Sequence, residues 1–154
     1  MTSGKIKFLQ ITKKTKKWER DFNNFYKGCF LPPHIKDSDA VYFAAYFGNI
    51  MVGHSAIRKS NEKWILEGLR VIPQFREMGI GKKLTEMRIS YAISQKAENI
   101  WYMDIDKNLV SLCCHMKFGF IKTKEKPDSK IKDAIWYKLD LTPQNIEKIK
   151  RLSI

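Results

Sequence analysis

Arg76, Gly79, Gly81 and Lys82 fall within one heptapeptide, Arg76-Glu77-Met78-Gly79-Ile80-Gly81-Lys82, and no other stretch of the chain is better suited to holding an anion. It lies between a strand-like run, Trp64 to Ile72, and a helix-like run, Lys82 to Ala97. Two glycines at such a junction let the backbone pass close to a ligand and turn free amides outward. There the positive end of the following helix favours phosphate. The expected ligand is a diphosphate. The spacing excludes two better-known loops: a Walker A loop needs Gly, four residues, then Gly-Lys-Ser/Thr, and a dinucleotide fingerprint needs three glycines with an acid about 20 residues on. Neither is present. Taken alone, the heptapeptide also suits an ordinary strand-to-helix turn.

The elements that must position this loop are legible on both sides of it. Lys5 to Ile11 alternates Ile6 and Phe8 with polar residues, as a first strand does. From Thr15 to Phe30 the apolar residues Trp18, Phe22, Phe25, Tyr26 and Cys29 recur at three and four, one face of a helix, and Leu31-Pro32-Pro33 stops it. Ala40 to Phe47, Met51 to Arg58 and Trp64 to Ile72 are β-prone. Gly48-Asn49 and Asn61-Glu62-Lys63 turn between them, which predicts three consecutive antiparallel strands.

After the loop, Leu84, Met87, Arg88, Tyr91 and Ala92 trace the buried stripe of a helix. Ile100 to Ile105 reads as a strand, Asn108 to Lys117 as a short helix stopped by Gly119, and Phe120 as the start of another strand. Lys124 to Lys130 is a charged loop with no apparent apolar anchor, and Ala134 to Leu141 closes the sheet. Thr142-Pro143 opens a last helix, with Thr142 as its cap.

At 154 residues the chain is the size of one domain, 1–154, with enough length for a single core. No apolar run reaches the roughly 20 residues of a membrane span. Met1 to Phe8 lacks the apolar centre of a signal peptide, so a cytoplasmic location and no membrane partner are expected. Cys29, Cys113 and Cys114 have no metal-ligand spacing and are expected as reduced thiols, with a catalytic Cys114-His115 pair a weaker alternative. The net charge is +13, and residues 1 to 36 hold nine Lys or Arg against only Glu19 and Asp21. Such a field draws polyanions: nucleic acid, an acidic protein surface or a phosphorylated cofactor. It also suits a merely soluble, lysine-rich surface.

Arg-x-x-Gly-x-Gly after Val71-Ile72-Pro73 resembles the coenzyme A loop of the GCN5-related N-acetyltransferases (GNAT). Downstream, Asn108 to Phe120 resembles that family's Asn-x-x-Ala-x-x-Leu-Tyr-x-x-x-Gly-Phe stretch, with Ser111 at the small-residue position and Lys117-Phe118-Gly119-Phe120 at its end. The two motifs stand in the family's order, and the resemblance spans about Val41 to Leu141. It implies the acyl-CoA N-acyltransferase fold, α/β (α+β), with a mixed, mostly antiparallel sheet of about six or seven strands flanked by helices. In that fold the strands on either side of the loop helix splay apart and admit the pantetheine arm.

The implied activity is N-acetyl transfer from acetyl-CoA, the co-substrate, to a primary amine of a small molecule or protein by direct attack, with no metal. The backbone of Leu69 and Val71 is expected to pair with pantetheine amides. The amides from Arg76 or Glu77 through Met78, Gly79, Ile80, Gly81 and Lys82 are expected to hold the diphosphate. Asn108 is expected near the thiol end of the pantetheine, or as a helix cap, or both.

Glu67 leads as general base, since by the period of two it shares the face of Leu69 and Val71; it equally suits binding the amine or a neighbouring lysine. Asp104 and Asp106 are reserve bases. Where many family members carry a tyrosine that protonates the departing thiolate, this chain has His115, which suits either a general acid or a packing residue. The competing reading is a GNAT-fold module whose chemistry has lapsed and whose basic face grips nucleic acid or an acidic partner. A nucleic-acid base as acceptor is a third, on Lys17-Trp18 and Tyr26-Lys27. Relatives often dimerise, so a homodimer is a mild expectation.

Overall fold

The alternating and periodic stretches become strands and helices in a computed structural model that describes residues 4–28, 40–104 and 109–152. In chain order these are β1 (Ile6–Ile11), α1 (Lys16–Phe25), β2 (Ala40–Phe47), β3 (Ile50–Ser60), β4 (Lys63–Val71), α2 (Ile80–Ser94), β5 (Asn99–Asp104), α3 (Leu109–Met116), β6 (Ile121–Thr123), β7 (Ile135–Asp140) and α4 (Pro143–Leu152), with a 3-10 turn at Pro73–Phe75. The strands form one seven-stranded sheet in the order β1-β2-β3-β4-β5-β7-β6. Every neighbouring pair is antiparallel except β4 and β5. The expected mixed sheet and element order are thus observed.

The two faces of the sheet carry separate cores. On one, α2 lies against Phe43, Ile57, Leu66, Ile100 and Tyr102, and Ile80, Leu84, Ile89 and Ala92 are all buried. On the other, α1 packs Trp18, Phe22 and Phe25 against Tyr42, Ala44 and Ala56. Ten residues are too few to hold a helix alone in water, so this packing is what keeps α1 helical. Thr15 caps it through its hydroxyl, 3.1 Å from the Trp18 amide. Thr142 caps α4 in the same way, 3.1 Å from the Asn145 amide.

α1 closes at Phe25, earlier than the expected Phe30. The Phe25 carbonyl, which a longer helix would offer to residue 29, instead accepts from the Arg70 guanidinium of β4. Cys29, Phe30 and the Leu31-Pro32-Pro33 stop lie outside the described residues. The charged 124–130 loop is also better anchored than expected: Asp128 is buried, and Ile131 just beyond packs with Ile65, Trp101 and Trp136.

One irregularity reorients β4. Ala56 stands opposite Glu67 and His54 opposite Arg70, so two residues of β4, Gly68 and Leu69, face the single Ser55 of β3. Gly68 takes φ +69°, a left-handed conformation glycine adopts without steric cost. This bulge breaks the alternation. Leu66, Leu69 and Val71 all pack on the α2 side, whereas Glu67 is paired across from Ala56 on the α1 side.

Candidate active site

Strands β4 and β5 pair over three rungs only: Trp64 with Ile100, Ile65 with Trp101, and Leu66 with Tyr102. Beyond Leu66 and Tyr102 they part. The bulge begins within two residues of that fork, and β4 then runs on to the loop at Arg76–Gly79. The chain therefore runs from the end of the β4–β5 pairing directly into the expected anion loop.

The loop leads into a helix start unlike the other two just described. Gly79 sits at the α2 N-cap with φ +79° and no side-chain cap, no acidic residue stands in the first turn, and Lys82 and Lys83 do. Cations at the positive end of a helix are unfavourable, and uncapped amides there want an acceptor; an anion supplies both needs. Among the described residues the amides from Met78 through Lys82 donate to no backbone carbonyl. The Arg76 amide is already committed to Pro73 O at 3.3 Å, and its Nε donates to Val71 O at 3.3 Å, so Arg76 ties the loop to the end of β4. Arg76, Glu77, Met78, Gly79 and Lys82 are exposed; Ile80 is buried in the core.

The two glycines have different jobs. A Cβ on Gly79 would meet nothing within 4 Å, so the space in front of it is open to a ligand. A Cβ on Gly81 would lie 3.1 Å from Cys114 Sγ and 3.9 Å from Val71, so this glycine lets α2 pack closely against α3 and β4.

The acid-base candidates land in three places. Glu67 was expected on the face of Leu69 and Val71, and the bulge puts it on the opposite one. There its Oε2 is 3.3 Å from Arg58 Nε, and Arg58 Nη2 is 3.8 Å from Asp128 Oδ2. Two carboxylates thus flank one guanidinium on the α1 side of the fork. Asp104 ends β5, buried, with Oδ1 lacking a hydrogen-bond partner among the described residues. Asp106 and Asn108 lie outside the described residues.

His115 is fully buried on α3. Its Nδ1 is 2.7 Å from Ser111 O, which can only accept, and its Nε2 is 2.9 Å from Arg88 Nη2, which can only donate. The ring is therefore the neutral Nδ1–H tautomer. It stacks on Tyr102 with centroids 3.8 Å apart, while burial and the Arg88 charge push its pKa far down. Both nitrogens are engaged within the protein, an arrangement that suits the packing alternative, with the ring linking α2, α3 and β5. Cys114 is half-buried, and burial pushes its thiol pKa up, the reverse of what a nucleophile needs.

Sequence reading missed two constellations. Arg88 appeared only as a member of an apolar stripe, and a charge in such a stripe is itself a signal. Tyr26 and His54 carried no local signal: they meet only because α1 folds over β3. The Tyr26 hydroxyl donates to Gly68 O at 2.6 Å, so His54 Nδ1, 3.0 Å away, must donate to it. Trp18 and Tyr26, offered above as nucleic-acid contacts, are both buried. Further along this face an open cleft of about 350 Å³ is lined by Lys7, Lys13 and Lys17 beside the start of α1.

The family model for the Acetyltransferase (GNAT) family matches residues 8–120. The chain belongs to the GNAT family of acetyltransferases and is an acyltransferase of that family. No curated protein matches its sequence. Among solved structures it is similar to a GNAT-family acetyltransferase from Staphylococcus aureus Mu50, with TM-score 0.71 and 17% identity over 90% of this chain and 100% of that one. The ribosomal-protein-S18-alanine N-acetyltransferase from Escherichia coli matches with TM-score 0.69 and 14% identity over 90% and 95%. PaiA N-acetyltransferase from Thermoplasma acidophilum, solved with coenzyme A, matches with TM-score 0.56 and 16% identity over 66% and 61%. At these identities the likeness is one of fold. Among the described residues no helix is long and apolar enough to cross a membrane.

Proposed function

We propose that this chain moves an acetyl group from acetyl-CoA to a primary amine by direct attack. The observation that carries the reading is the continuity of the three-rung fork with the uncapped amides from Met78 through Lys82. In this reading the diphosphate lies on those amides, with Lys82 and Lys83 meeting its charge. The pantetheine enters the fork along the backbone of Leu69 and Val71. The amine comes from the α1 side, where Glu67, oriented by Arg58, takes its proton directly or through water. A backbone amide between Leu69 and Val71 faces the oxyanion. Most of the acceleration then comes from holding two substrates in line.

The basic cleft at Lys7, Lys13 and Lys17 favours an acceptor whose body is acidic or phosphorylated, presenting its amine to the fork. Calorimetry with acetyl-CoA tests the first half: folded protein giving no binding heat overturns it. Thiol release across a panel of amines tests the second, and spermidine or a basic peptide as best acceptor overturns the acidic-acceptor part. Tight acetyl-CoA binding with no turnover on any amine, joined to salt-sensitive oligonucleotide binding, would favour the lapsed module instead.

A further inference from the structure

Arg88 is fully buried in the middle of α2 and has no carboxylate ion-paired to it among the described residues. Its hydrogen bonds all go to neutral acceptors: Leu84 O at 3.4 Å, Thr85 Oγ1 at 3.0 Å and His115 Nε2 at 2.9 Å. The remaining terminal nitrogen, Nη1, is buried with no hydrogen-bond partner among the described residues. An uncompensated buried guanidinium is among the more costly arrangements a core can hold, and the group stays cationic at neutral pH.

Its position is informative. The guanidinium touches His115, His115 stacks on Tyr102, and Tyr102 belongs to the last rung before β4 and β5 part. Through Thr85, whose hydroxyl donates to Gly81 O at 2.8 Å, Arg88 is also tied to the start of the anion loop. The titratable groups around it are Tyr102 of β5, Cys114 and His115 of α3, Tyr26 at the end of α1 and, more weakly, Glu67 of β4. Of these only His115, in its neutral form, is hydrogen-bonded to Arg88 among the described residues, and no carboxylate there forms an ion pair with it.

We infer that Arg88 is the cation that stabilises the coenzyme A thiolate released at the fork, taking over by charge the task for which many relatives use a tyrosine proton. This rests on the proposed acetyl transfer. As the amine nitrogen bonds to the thioester carbonyl carbon, the carbon–sulfur bond breaks and its electron pair goes to sulfur. The amine proton goes to Glu67, and the sulfur leaves as an anion beside a guanidinium with an unused donor. It takes a proton from solvent as the product departs. A buried site magnifies such an attraction, because little water screens it.

The test needs no acceptor. Coenzyme A is bound to the protein and its thiol titrated by ultraviolet thiolate absorbance. An opposite charge within a few ångströms lowers a pKa by roughly 1–3 units, so the bound thiol is expected that far below the free cofactor. Arg88→Met should return it most of the way while retaining binding, and Arg88→Lys should keep part of the shift. A bound thiol that titrates like free coenzyme A, or one equally depressed in Arg88→Met, overturns the inference. Should Arg88→Met fail to fold, the wild-type titration and Arg88→Lys decide it: an undepressed wild-type thiol, or a shift wholly lost in the lysine variant, overturns it. Failure of coenzyme A to bind at all would instead sink the proposed function and is seen in the same titration.

Discussion

Tyr26 and His54 are locked into one proton arrangement. The phenol has a single hydrogen and gives it to Gly68 O at 2.6 Å, so His54 must carry its proton on Nδ1 and donate to the phenol oxygen at 3.0 Å. That leaves His54 Nε2 buried and without a hydrogen-bond partner among the described residues, within a cage of Trp18, Phe22, Phe25, Tyr26 and Tyr42. The pair fastens the β4 bulge from behind. Tyr26→Phe removes the donor from a carbonyl and the acceptor from an imidazole at once, which should cost about 1–3 kcal/mol in urea unfolding. Turnover should fall too, because the bulge sets which backbone groups face the fork.

The same cage makes stability depend on pH. Burial drives the His54 pKa from 6.5 down to about 3, and burial drives His115 down as well. Between those limits the unfolded chain binds protons that the folded chain refuses. Stability is therefore full above about pH 6.5 and falls as the solution is acidified, by up to about 1.4 kcal/mol per pH unit for each histidine. Urea midpoints between pH 7.5 and 4.5 read the slope. His54→Phe should flatten it by roughly one proton's worth, and an unchanged slope would show that His54 does not set it.

The two loop glycines should separate on substitution. At Gly79 an alanine has space but the wrong backbone, φ +79°, which costs on the order of 1 kcal/mol, and its methyl stands where a phosphate would approach. Cofactor affinity should drop more than stability. At Gly81 the new methyl would press on Cys114 Sγ from 3.1 Å, so Gly81→Ala should lower the melting temperature first, with an overpacking cost of roughly 1–3 kcal/mol. Calorimetry and thermal melts on both variants check the contrast.

Glu67→Gln should lower kcat by about 100-fold or more while leaving acetyl-CoA affinity unchanged, as loss of a general base does. Asp128→Asn, one step further back behind Arg58, should have a much smaller effect. Equal losses in the two variants would move the base away from Glu67.

Restoring the family's usual tyrosine should not help this chain. His115→Tyr deprives Arg88 of the Nε2 acceptor and Ser111 O of its donor, inside a fully packed site. The expected result is a loss of about 1–3 kcal/mol in stability and no gain in turnover, measured by denaturation and steady-state rates.

Most of the architecture could be read from the residues, because strong local patterns decide it. Alternation marked β1, Pro143 behind Thr142 marked α4, and the loop glycines marked the start of α2. The bulge was harder. A lone glycine inside a strand is a known sign of one, yet simple alternation through Gly68 put Glu67 on the wrong face. His115 illustrates the other limit: its chemistry depends on Arg88, 27 positions away, and a pairing at that separation leaves no trace in either residue's neighbourhood. Tyr26, His54, Arg58 and Asp128 are assembled in the same way, by tertiary contact alone.

The three rungs between β4 and β5 give the molecule a short seam: on one side lie four strands, on the other three. So few backbone pairs cross the seam, beside the side chains packed over it, that a guest threaded alongside would act as additional stitching. Adding coenzyme A should then raise the melting temperature with concentration and slow hydrogen exchange chiefly along residues 67–71. An empty enzyme would breathe along that line, and a loaded one would be sewn shut by its own substrate.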